Sequence, residues 1–132
     1  MRFRFPSLPG EFEIPDDWLD QSRFAVFRPS GVCYSCLDTS AEIIEIVNIC
    51  PPLRKPGVWL DFNGFDAERT KNILYGMTAN EKLPPVELIV IPNYDAFYRP
   101  YQYGLINGFH RYFCSLALGY SALPAVVREP FQ

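Results

Sequence analysis

A chain of 132 residues with 48% hydrophobic residues has room for one cored domain and not for two, and its composition excludes a wholly disordered chain. The net charge of −3 excludes a domain built mainly to grip nucleic-acid phosphates. The 13 prolines and 16% aromatic residues point to long, ordered, irregular segments rather than an all-helical bundle.

No apolar run approaches the roughly 20 residues that a membrane helix needs. The opening "MRFRFPSLPGEFEIPDDW" has basic residues but no apolar stretch of the secretory kind. A cytoplasmic protein is the expectation. Residues 1–42 read as an N-terminal extension with little periodicity that packs on a domain formed by 43–132. Within the extension, "EIPDDWLDQSRF" predicts a short helix from Pro15, with Asp16 and Asp17 favouring its dipole. "FAVFRPSGVCYSC" reads as extended chain turned at Pro29-Ser30-Gly31. Its "CYSC" is half of a zinc pattern. Cys33, Cys36, Cys50 and His110 are the residues a site would draw on; the simpler reading is reduced thiols, with Cys50 and Cys114 packed as small hydrophobes.

Alternation in "AEIIEIVNI" predicts a strand, stopped by Pro51-Pro52. The loop "LRKPGVWLDFNGF" is long for a connection. Asp66 is a suitable N-cap for a helix over "AERTKNILYGMTAN", in which Thr70, Ile73, Leu74 and Met77 mark the core-facing stripe. Arg69, Asn72 and Gly76 form a neighbouring stripe, and a glycine inside a helix implies a close neighbour there. "LPPVELIVI" supplies a strand over about 86–91, "YQYGLI" the returning strand, and "NGFHRYFCSLALGY" a helix ended by Gly119. "LPAVV" is a last strand. The order β, loop, α, β, β, α, β predicts an α/β (α+β) architecture, a mixed sheet flanked by helices.

The junction "LINGFHR" concentrates the chemistry. A helix N-terminus offers unsatisfied N–H groups and a partial positive charge, which attract phosphate. Gly108 lets the backbone approach a ligand, Arg111 adds a planar fork, and His110 can donate a hydrogen bond or exchange a proton. The plain alternatives are a capping histidine, a surface arginine and a turn.

From "GLINGFHRYFCSLALGYSALPAVV" and "FDAERTKNILYGMTANEKLPPVELIVI" the chain resembles the ParB/sulfiredoxin superfamily over residues 43–128. There a strand ends in Asp/Gly-Gly-x-His-Arg before a helix and "(I/L)PA". The resemblance implies a nucleotide-binding protein, a phosphotransferase or NTP hydrolase, with ATP or another NTP and Mg²⁺. It implies phosphate contacts from Asn107, Gly108, His110, Arg111, Arg69, Asn72 and Arg54, and His110 as donor or general acid. Asp61 or Asp66 would hold the metal. Sulfiredoxins carry their cysteine where this chain has Phe109, and a phenyl ring has no nucleophile, so sulfinic-acid reduction is not expected. The partition-protein branch has Gly-Glu-Arg-Arg and a helix-turn-helix at this point, both missing here, which argues against nucleic acid as a partner. The alternatives are a catalytically silent protein-interaction module of the same fold, presenting Trp59, Phe62, Tyr98 or Tyr101, and a nucleic-acid-associated ParB-like protein.

Overall fold

The computed structural model describes residues 1–7, 9–52, 64–92 and 100–130. Within them the chain forms strands β1 (Arg2–Arg4) and β2 (Glu11–Glu13), helix α1 (Asp16–Asp20) and strand β3 (Glu42–Glu45). Helix α2 (Ala67–Thr78), strands β4 (Val86–Val90) and β5 (Tyr103–Asn107), helix α3 (Phe109–Leu118) and strand β6 (Ala122–Arg128) follow. The larger sheet has the order β3-β6-β4-β5, with β6 antiparallel to β3 and parallel to β4, and β4 antiparallel to β5. This is a mixed sheet flanked by helices, as the order of elements predicts.

Side chains alternate across a strand, so one face of the sheet is apolar at every second residue. Val86 and Leu88 of β4, Leu123 and Ala125 of β6 and Ile44 of β3 are buried in this way. Leu74 and Met77 of α2 and Phe113, Cys114 and Leu118 of α3 share their core. Each large apolar side chain removed from water contributes about 1.5–3 kcal/mol before the entropy of ordering is charged against it.

The helix ends follow their sequence signals. The Asp66 side chain accepts the Arg69 N–H at 2.8 Å, capping α2, and the chain leaves that helix through Asn80, held at a φ of 58°. The close neighbour expected at Gly76 is the chain itself. A Cβ there would lie 3.4 Å from Leu83 Cδ2. Gly119, at a φ of 90°, ends α3, and the Tyr120 N–H returns to the Ser115 carbonyl at 3.0 Å.

Two expectations change. The strand expected over "AEIIEIVNI" stops at Glu45 and becomes a 3-10 turn over Ile46–Asn48. Its partner β6 begins at Ala122, opposite Glu45, so the ladder runs out of partner before Ile46. The N-terminal stretch read as aperiodic contains the β1–β2 hairpin, paired Arg2 to Glu13 and Arg4 to Glu11. Phe5, Phe12, Ile14 and Leu19 belong to the same core as α3. Phe12 meets Phe113 with ring centroids 4.9 Å apart.

The four cysteines are free thiols. Cys114 is buried in the core, and desolvation pushes its thiol far above the ordinary range, leaving an inert packing residue. Among the described residues no three His, Cys, Asp or Glu side chains cluster to hold a metal. No helix among them is long and apolar enough to cross a membrane.

Candidate functional site

The strand-to-helix junction opens onto a cleft of about 450 Å³ between the first turns of α2 and α3 and the entry to β4. Arg69, Asn107, Gly108, His110 and Arg111 line its polar side. Ile73, Leu83, Leu105, Ile106 and Phe109 line its apolar side. Five of the expected phosphate contacts therefore meet in one place.

Gly108 is the N-cap of α3, with a φ of 107°. A Cβ at this position would lie 2.6 Å from Val86 Cγ1 and 3.0 Å from its Cβ. Glycine is required here because β4 occupies the space a side chain would need, and positive φ adds to that requirement. The consequence for the cleft is the same: the N-cap of α3 brings no side chain of its own over the helix start.

His110 is buried, and its Nε2 accepts the backbone N–H of Asp66 at 3.0 Å. A ring nitrogen that accepts carries no proton, so the neutral ring holds its hydrogen on Nδ1. Asp66 is also the N-cap of α2. The histidine thus pins the start of α2 to the start of α3, and Phe65 packs against it with ring centroids 5.9 Å apart. On its Nε2 side, the residue expected as a general acid is engaged in a structural bond.

Arg111 donates from Nη1 to the carbonyls of Pro84 and Pro85, at 2.8 Å each. Proline has no N–H, so the Pro84-Pro85 pair offers the arginine acceptors only. The buried Tyr34 hydroxyl donates to the same Pro84 carbonyl at 2.6 Å. Burial pushes the Tyr34 phenol up, and the neighbouring guanidinium draws part of that shift back. Arg111 therefore fixes the entry to β4 while still bordering the cleft.

Arg69 differs from both. It is exposed on the first turn of α2, and among the described residues no carboxylate or carbonyl partners its guanidinium. Asn72 is exposed on α2 but stands outside the lining, where Ile73 takes the place expected for it. The row that faces the cleft is i to i+4, from Arg69 to Ile73, rather than i to i+3. The Asp66 carboxylate is occupied as a cap. Arg54, Trp59, Asp61, Phe62 and Tyr98 lie outside the described residues. Tyr101, just before β5, is half-buried and accepts a hydrogen bond from the Ser7 hydroxyl at 3.2 Å, linking that part of the chain to the N-terminal segment.

Phe109 lies half-buried, with its ring 4.9 Å from that of Phe113 and 5.7 Å from that of Phe65. It forms a wall. Sequence reasoning missed Ile73, Leu83, Leu105 and Ile106 as cleft residues, because apolar residues at an opening carry no signal that separates them from core residues. A larger cleft of about 650 Å³ lies between α1 and the end of α3. There Asp16 is already engaged by the Met1 ammonium at 2.8 Å.

No protein-family model matches the chain, and no curated protein matches it.

Proposed function

We propose that this protein binds a phosphate ester of the nucleotide class in the α3 cleft, as a small ParB/sulfiredoxin-like protein of the cytoplasm. The observation that carries this reading is the exposed Arg69 guanidinium, unpartnered among the described residues, on the same cleft as the glycine-capped start of α3. A guanidinium and the backbone N–H end of a helix border one cleft, and both are groups that recognise phosphate oxygens. The apolar wall of Ile73, Leu83 and Phe109 suits the planar part of such a ligand. His110 and Arg111 hold the two helix starts and the β4 entry in register around it. The reading concerns binding: Phe109 supplies no nucleophile, and Asp66 caps α2 through one of its carboxylate oxygens.

Calorimetric titration with ADP and with inorganic phosphate tests it. Wild type is expected to bind both, more weakly as salt is raised. Arg69→Ala is expected to lose roughly tenfold to hundredfold in affinity, the worth of about 1.5–3 kcal/mol for a charged hydrogen bond. Because Arg69 is exposed and outside the core, its removal leaves the fold intact. Equal affinity in both proteins, or no binding by wild type, contradicts the proposal.

A further inference from the structure

Next to the cleft the chain places a carboxylate of its own. Glu87 is the second residue of β4, and its Cα pairs with that of Asn107, the last residue of β5 and part of the cleft lining. The strand pairing is irregular between Glu87 and Leu88. Glu87 Oε1 accepts from Arg128 Nη2 at 2.8 Å, across the parallel β4–β6 pair. The same carboxylate is held below its ordinary range, first by the Arg128 hydrogen bond, with further help from the Asn107 amide and the field of Arg111. A negative charge thus stands across the strand pair from Asn107, which borders the proposed phosphate position, and Arg128 draws it toward β6.

Resting on the reading of this cleft as a phosphate site, we infer that Glu87 is an internal competitor for the cleft and that Arg128 is the positioning residue that keeps it from competing. With Arg128 present, the carboxylate is held by a charge-assisted bond on the β6 side. Without Arg128 it turns toward the Asn107 amide, on the border of the cleft, and its negative charge then opposes an incoming anion more strongly. The pair thereby sets both the affinity of the cleft and its preference among anions. A fixed negative charge opposes a ligand in proportion to the ligand's own charge. More highly charged ligands are opposed most, so the pair favours a singly phosphorylated group over a pyrophosphate.

The test uses inorganic phosphate and pyrophosphate as probes at low ionic strength, with wild type, Glu87→Gln, Arg128→Ala, the double variant and Arg69→Ala. Glu87→Gln is expected to bind both probes tighter, by about threefold for phosphate and more for pyrophosphate. Arg128→Ala is expected to bind about threefold weaker, and to change little when Glu87 is already glutamine. Unchanged affinity in Glu87→Gln overturns the inference. So does an Arg128→Ala loss of the same size in both backgrounds, because Arg128 would then act on the ligand directly. If wild type binds and Arg69→Ala does not, either result leaves the phosphate site standing and removes only the competitor. If wild type binds neither probe, the site and the inference fall together.

Discussion

Replacing Gly108 by alanine is expected to lower stability by about 2–5 kcal/mol. Two independent costs add. The backbone at Gly108 has a φ of 107°, where a side chain strains against its own carbonyl by roughly 1–2 kcal/mol. The new Cβ would also stand 2.6 Å from Val86 Cγ1, inside van der Waals contact, and Val86 is fully buried with no room to yield. Overpacking of this kind costs roughly 1–3 kcal/mol. Chemical denaturation monitored by circular dichroism reads the difference. In a Val86→Ala background the same substitution should cost less, since the nearest clashing atom is gone, while the backbone strain remains. A Gly108→Ala protein as stable as wild type would mean that α3 does not start against β4 as described.

His110→Ala is expected to cost about 2–3 kcal/mol. The substitution strips the Asp66 N–H of its acceptor and removes a buried ring that packs on Phe65 and Phe109. An amide left without a partner in a half-buried place accounts for roughly 1–3 kcal/mol, and the lost packing adds to it. The result separates two roles. A histidine that served only to move a proton would leave thermal stability unchanged on removal. One that joins the start of α2 to the start of α3 would lower it, and anion binding would weaken with it as Arg69 and the first turn of α3 lose their register.

Much of this architecture was written locally. Asp66 as a cap, the Thr70, Leu74 and Met77 stripe and the Asn80 exit define α2 from within a dozen residues. Gly108 and Gly119 bracket α3 in the same way. The β1–β2 hairpin was legible too, in the alternation of "RFRF" and "EFEI" around a Pro-Gly turn, where Arg2 faces Glu13 at 3.8 Å. It went unread because each strand is three residues long, too short for alternation to stand out.

The cleft was legible in its polar residues and not in their bonds. Asn107, Gly108, His110 and Arg111 could be gathered from one short stretch because they are neighbours in the chain. What His110 and Arg111 grip could not be gathered, since the Asp66 amide lies 44 residues away and the Pro84 carbonyl 27. Such partners follow from how β4 and α2 are laid against α3, which no local pattern specifies. Asn72 shows the same limit from the other side. Its spacing from Arg69 puts it near the right face, but whether the i+3 or the i+4 neighbour borders the cleft depends on the approach of the 83–85 segment, and Ile73 takes that place.

The phosphate site is tested most directly by following backbone and arginine resonances of nitrogen-15-labelled protein while ADP is added. The account predicts saturable shifts in the amides of Phe109, His110 and Arg111 and in the Arg69 side chain, with the edge strand β3 unmoved. Saturable shifts centred on the cleft between α1 and the end of α3, or no shifts at millimolar ADP, would contradict it.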